Sequence, residues 1–237
     1  MAAQKGDVVV LDYVLKLKDT GEVIDTTLEE VAKESGIYKE GTKYEPFVVV
    51  LGEGRLIQGI EEAVEGMEKG QEKEVEIPPE KAFGPRDPSK IRRYTVNEFR
   101  KAGIRNVYPG MVVEIGNNVG VVKAVSGGRV IVDFNHPYAG KTLVAKIILK
   151  DIIKDEKEKI KALVKRRMKD AEVEISDGKV VIKVPEKYLL AEGLQLAKLS
   201  IVNDLFRYTN VKEVAFIEEI KKREEKAETQ ESQESSS

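Results

Sequence analysis

The chain has 237 residues, with 40 lysines and arginines against 42 aspartates and glutamates, one histidine and no cysteine. That length suits one to three domains, and charges that nearly cancel give no electrostatic case for a nucleic-acid or membrane partner. The missing cysteines exclude disulfides, zinc–thiolate sites and thiol catalysis and point to a reducing, cytoplasmic setting, while a single histidine excludes a His-rich metal site.

No apolar run approaches the length needed to span a bilayer, and the N-terminus does not read as a signal peptide. Richness in Lys and Glu suits a thermophile. In chain order, DVVVLDYVLKLK at 7–18 predicts a strand, DTG at 19–21 a hairpin turn, and EVIDTT a second strand. Thr27 with Glu30 predicts a capping box opening a short helix that stops at Gly36. PFVVVLGEG predicts another strand, and IQGIEEAVEG at 57–66 a short amphipathic helix with Ile60, Ala63 and Val64 on one face. EKEVEIP alternates again, so this part predicts a small antiparallel sheet wrapping one short helix.

GPRDPS at 84–89 breaks the pattern, because each proline restricts itself and its predecessor. Residues 91–134 then predict a separate strand-rich unit, with a helix near 96–102 and strands around 111–115, 119–125 and 129–134. FNHPYAGK closes it, and TLVAKIILKDI at 142–152 is a lone strand unless it returns to the first sheet, so the intervening unit reads as an insertion. A third unit starts near 154. Ile160, Leu163, Val164 and Met168 stripe a helix, AEVEIS and KVVIKVP flank an Asp177-Gly178 turn, a long helix covers about 186–208, and VKEVAFIEEI is a last strand. Residues 224–237 read as a disordered, solvated tail.

GEGRLIQG at 52–59 resembles a phosphate loop only superficially: no Gly-Lys-Ser/Thr follows, and Glu61-Glu62 would repel phosphate. No serine has a plausible histidine and carboxylate partner set. Tyr13, Ile24, Asp25, Phe47, Leu56, Ile57, Ile60 and Phe83 form a different pattern, mostly apolar or aromatic, at strand edges and at the short helix. Each alone reads as core packing.

Together they carry a resemblance. VVLDYVLKLKDTGEVIDTT, PFVVVLGEGRLIQGIEEAVEGMEKGQEKEVEIPPEKAFG and the returning TLVAKIILKDI resemble the FKBP-type peptidyl-prolyl cis–trans isomerases. The segment ending in DFNHPYAGK resembles the insert-in-flap domain of SlyD-like members, and the appended third unit resembles the long archaeal members. The resemblance implies an α+β fold: an FKBP-like antiparallel half-barrel wrapping a short helix, an inserted mostly-β flap domain, and a C-terminal αββαβ domain. The implied division is 1–85 with 138–152 for the isomerase domain, 86–137 for the insert, and 153–223 for the C-terminal domain.

The implied activity is isomerisation of Xaa-Pro bonds in unfolded or partly folded proteins, joined to chaperone action; the alternative is a holdase with vestigial isomerase activity. The implied catalytic residues are Tyr13, Asp25 and Phe83, and the implied proline-binding walls are Ile24, Phe47, Leu56, Ile57, Ile60 and Tyr138. The family's usual floor tryptophan is Ile60 here, and the returning strand carries Ala145 where an aromatic is common. No cofactor or metal is implied, and the tail lacks the histidines and cysteines of the SlyD metal-binding tail. His136 lies where the insert rejoins the barrel; it either fixes the crossing by hydrogen bonding or takes part in catalysis. In the insert, Ile91, Tyr94, Phe99, Ile104, Val107, Tyr108, Met111 and Val113 form either its core or an exposed patch for unfolded clients.

The long third-unit helix carries two apolar stripes. One is Leu190, Leu194, Ala197, Ile201 and Leu205; the other is Leu189, Leu196, Leu199 and Phe206. A helix on a small sheet needs one such face. The second is covered either by the unit's first helix or by a second subunit in a homodimer.

Overall fold

The computed structural model describes residues 2–220, so the tail at 224–237 lies outside the described residues. The chain forms two compact units, meeting in sequence between Ile153 and Lys154. The fold is α+β in both.

The first unit is organised by strand β1 (Val8–Leu17), a β-branched run whose buried positions outnumber its exposed ones. Such a strand needs partners on both edges and cover on its face. One edge pairs with β9 (Leu143–Ile153) along its whole length. The other is shared by β3 (Phe47–Val50) against the first half and β2 (Val23–Thr26) against the second. Strand β4 (Glu72–Ile77) adds to the far side of β9, and every pairing is antiparallel. The returning strand therefore joins the first sheet at its centre, as expected for a chain that leaves and comes back.

Helix α2 (Gln58–Val64) crosses this sheet, burying Gly59, Ile60, Ala63 and Val64 at helical spacing. They share one core with Leu143, Ala145, Ile147 and Leu149 of β9. Gly59 is required by closeness: a Cβ there would collide with Cγ2 of Ile77 on β4.

Helix α1 (Glu29–Glu34) corrects the expected capping box. Its N-cap is Leu28, without a side-chain cap bond. Thr27 is engaged elsewhere: its Oγ1 accepts from the Tyr13 amide at 3.0 Å and donates to Asp12 Oδ1 at 2.8 Å. A buried carboxylate at position 12 must find donors, and Thr27 with Lys150 supplies them.

Within the same unit a second sheet has the order β5–β8–β7–β6, from β5 (Ile91–Thr95), β6 (Val112–Ile115), β7 (Asn118–Ser126) and β8 (Arg129–Asp133). Strand β5 was not expected; IRRYT places two arginines together and hides the alternation. Helix α3 (Val96–Lys101) opens with a true capping box between Thr95 and Glu98 and lays Phe99 on one sheet face.

The second unit reads α4 (Glu156–Lys165), β10 (Glu172–Ser176), β11 (Lys179–Val184), α5 (Leu194–Tyr208) and β12 (Glu213–Glu218). β10 and β11 are antiparallel across Asp177 and Gly178, both at positive φ as a tight hairpin turn demands. β12 pairs parallel to β11, the usual result of a helical crossover. The long helix is shorter than expected. Residues 186–188 form a 3-10 turn after Pro185, and Gly193 at φ 79° separates it from α5. Leu189 and Leu190 therefore precede the helix.

Candidate functional site

The apolar residues of the predicted proline-binding site pack on one core. Ile60, 2% exposed, belongs to the main apolar core, and Tyr13, Ile24, Phe47, Leu56, Ile57, Phe83 and Tyr138 pack against that core as partly buried side chains. They come from β1, β2, β3, the turn before α2, and the two segments that flank the insert. Ile60 is a floor under the others rather than an open wall. Ala145 is fully buried in the same core, so the small side chain stands inward where the sequence placed it.

Asp25 is the polar member. It is exposed at the edge of β2, and its Oδ2 accepts from the Tyr13 hydroxyl at 2.7 Å while Oδ1 accepts from the Thr26 amide at 2.9 Å. Burial, then the hydrogen bond and charge of Asp25, push the Tyr13 hydroxyl well above its ordinary value. Tyr13 stays a neutral donor across the physiological range and orients the carboxylate. A hollow of about 470 Å³ opens beside Ile24, Asp25 and Tyr138. Its far side is formed by Tyr38 and Tyr44, whose rings stack at 5.5 Å. This loop carries no periodic signal in the sequence; two tyrosines around Gly41 are its one mark.

His136 stacks on Phe83 at 4.3 Å with the rings 11° apart, and its Nδ1 accepts from the Tyr138 amide at 3.2 Å. The one histidine thus buttresses two aromatic cradle residues where the chain returns.

The crossing itself is stitched by polar groups. Arg86 meets Asp133 at 2.5 Å, Asn135 bonds both the amide and the carbonyl of Asp87 at 2.9 Å, and the Gly140 amide donates to the Gly84 carbonyl at 2.9 Å. Burial works against the Asp133 carboxylate, but donors from Asn135 and then Arg86 outweigh it and hold its carboxyl below the usual range. A depressed pKa contributes stability above the unfolded value near 4, lost as pH falls through the lower folded value. Asp133→Ala is therefore expected to cost about 2 kcal/mol at neutral pH, since it removes the buried acceptor shared by the Asn135 donors and Arg86. In chemical denaturation the wild-type advantage should fade below about pH 4; an advantage independent of pH would refute the role of the charge.

In the insert, Phe99 is 4% exposed and lies in its core with Val113, so of the two alternatives both take the core and Phe99 is not available to a client. Tyr94, Ile104, Val107 and Met111 pack partly buried against that core, and Ile91 is half-buried. Tyr108 is 60% exposed, as are Val112 at 65% and Val119 at 62%, which the sequence reading did not single out. A groove of about 290 Å³ runs between Tyr94, Ile104 and Ile115.

In the second unit, Ile201 and Leu205 are fully buried, while Leu196, Leu199 and Phe206 are 71%, 57% and 50% exposed. Helix α4 buries Ile160, Leu163 and Val164 without covering that second face. Leu190 is 98% exposed, so it leaves the first stripe.

The fold is thus a half-barrel around a short helix, with aromatic and aliphatic side chains packed on its core and one tyrosine–carboxylate pair. A family model described as FKBP-type peptidyl-prolyl cis-trans isomerase matches residues 1–99, one described as FKBP26, IF domain, matches 95–138, and one described as FKBP26_C-terminal matches 156–221. A short-type peptidyl-prolyl cis-trans isomerase of Methanocaldococcus jannaschii is 43% identical over 155 residues, covering 65% of this chain and 97% of that protein. A SlyD isomerase of Aeromonas hydrophila is 33% identical over 146 residues, 61% of this chain and 62% of its own. An FKBP-type 16 kDa isomerase of Escherichia coli is 28% identical over 145 residues, 60% and 88%. The chain belongs to the FKBP-type peptidyl-prolyl cis-trans isomerase family.

Proposed function

We propose that the cradle around Tyr13, Asp25 and Phe83 binds the proline side of Xaa-Pro bonds in unfolded polypeptides and accelerates their isomerisation. The observation that carries it is the Tyr13–Asp25 bond beside apolar and aromatic side chains that pack on one core. Prolyl rotation breaks no sigma bond; it is slow, roughly 10–100 s, because amide resonance must be lost. A twisted amide has lost that resonance, and its carbonyl is less polar. An apolar wall therefore holds the twisted form better than the hydrated planar one, which is differential binding of the transition state. About 7 kcal/mol gained this way gives roughly five orders of magnitude. Asp25, oriented by Tyr13 and acceptor-only, orients the peptide; Phe83, backed by His136, holds the ring. No proton transfer and no cofactor is needed.

Phe83→Ala and Asp25→Ala are each expected to lower kcat/KM on a short Xaa-Pro peptide by about tenfold, the loss of one good contact. Both should leave the fold intact. Unchanged kcat/KM in both would sink the residue assignment.

In this reading residues 1–85 and 138–152 are the isomerase domain, residues 86–137 hold clients beside it, and residues 153–223 pair two copies of the chain. The exposed Leu196, Leu199 and Phe206 support the last point: they form an apolar stripe that none of the described residues of their unit covers. Among the described residues no helix is long and apolar enough to cross a membrane, which suits the proposed cytoplasmic setting.

A further inference from the structure

The near-neutral whole conceals two opposite halves. Residues 86–137 hold nine lysines and arginines against four aspartates and glutamates, net +5, while residues 1–85 with 138–152 hold thirteen against twenty, net −7. On the half-barrel, cations are matched by carboxylates, as in Lys18–Glu76, Lys81–Glu62 and Lys146–Glu72. In the insert Arg86 alone is matched, by Asp133. The other eight are exposed, and among the described residues none of them forms an ion pair.

Three of the eight lie on or beside uncovered apolar surface. Strand alternation turns Val113, Val122, Val130 and Val132 into the core under α3. It turns their neighbours to the other face. There Val112 sits across from Val121, and Arg93 across from Ile131, which in turn faces Ala124. Arg129 opens β8 on the same face, across from Ser126, and Lys123 stands at the β7 bulge between the partners of Val132 and Ile131. Val112 and Val119 are more than 60% exposed. Glu114 on β6 is the face's one exposed carboxylate.

Exposed cations without partners on a valine face suit a ligand that brings both carboxylates and apolar groups. The strands of that face offer no aromatic ring on which bases could stack, and a phosphate backbone gains nothing from valines. A polypeptide is therefore favoured over a nucleic acid. The −7 half-barrel also repels acidic chain, which keeps such a stretch on the insert and leaves the cradle to neighbouring prolines. We propose that the outer sheet face of the insert selects client segments in which apolar residues are interspersed with Asp or Glu. The proposal rests on the client-holding reading above and names its substrate class.

The test is fluorescence anisotropy of the full chain with two permanently unfolded, labelled peptides of equal length and identical apolar positions. One carries Glu between them, the other Lys; a single-stranded RNA is the third probe. At low salt the Glu peptide is expected to bind about tenfold tighter than the Lys peptide, narrowing as salt screens the contacts. Arg93→Gln with Arg129→Gln should flatten the ratio, and the double change to Glu should reverse it. Both leave short-peptide isomerisation unchanged. Equal affinities that vanish on deleting 87–135 would overturn the charge preference and keep the client-holding reading. No binding of either peptide would overturn both. RNA bound tighter than the Glu peptide would overturn the proposal in favour of a nucleic-acid surface.

Discussion

Removing residues 87–135 and closing the gap with a short linker is expected to lower catalysis of a proline-limited refolding reaction by about a hundredfold, because a client held beside the cradle sees it at high effective concentration. Turnover of a short Xaa-Pro peptide should stay within a small factor. The geometry allows the cut. The outgoing and returning segments are already bonded outside the deleted range, the Gly140 amide on the Gly84 carbonyl, so the barrel does not need the insert to bring its ends together. The deletion does remove the Arg86–Asp133 bridge and the Asn135–Asp87 bonds, but it unstacks nothing outside the insert, since Phe83, His136 and Tyr138 all remain. Refolding catalysis that survives the deletion would show that clients are held elsewhere.

A comparably large effect is expected at α5. Leu199→Glu with Phe206→Glu should weaken self-association by about a thousandfold, since placing charge in an apolar interface costs roughly 4 kcal/mol. Leu196, Leu199 and Phe206 share a helix face because they are three and seven residues apart. Their exposure leaves an apolar stripe that water covers poorly, and a two-fold partner would present the same stripe in return. A dimer would also offer one client two cradles and two inserts. Light scattering should give a dimer for the full chain, and a monomer for the double variant and for a chain ending at Asp151. A full-length monomer at tens of micromolar would rule out the dimer.

Where residue pattern reports structure is visible in particular elements. The apolar, β-branched run of β1, the Ile60–Ala63–Val64 stripe of α2 and the Asp177-Gly178 turn were legible because apolar patterning and turn chemistry are local. Thr27 misled because a buried Asp12, fifteen residues away, competes for its hydroxyl. The start of α5 was misplaced because Pro185 and Gly193 impose a turn inside an apolar run. The cradle was not readable from period at all. Ile24, Phe47, Phe83 and Tyr138 meet only after the sheet closes, and resemblance to a family brought them together before the fold did. The Tyr38–Tyr44 wall lay in a loop with no periodic signal. The insert's charge was hidden by its opposite in the half-barrel.

Whether proline isomerisation happens at the Tyr13–Asp25–Phe83 cradle is decided by nuclear magnetic resonance on the methyl-labelled full chain, titrated with a short Xaa-Pro peptide while cis–trans exchange of the peptide is followed in the same sample. Accelerated exchange is expected together with shifts at the methyls of Ile24, Leu56 and Ile57, and none at Ile160 or Ile182 in the second unit. Exchange at the uncatalysed rate, or acceleration with the cradle methyls unmoved, would contradict the cradle assignment; the first of these would leave a holdase whose proline site is vestigial.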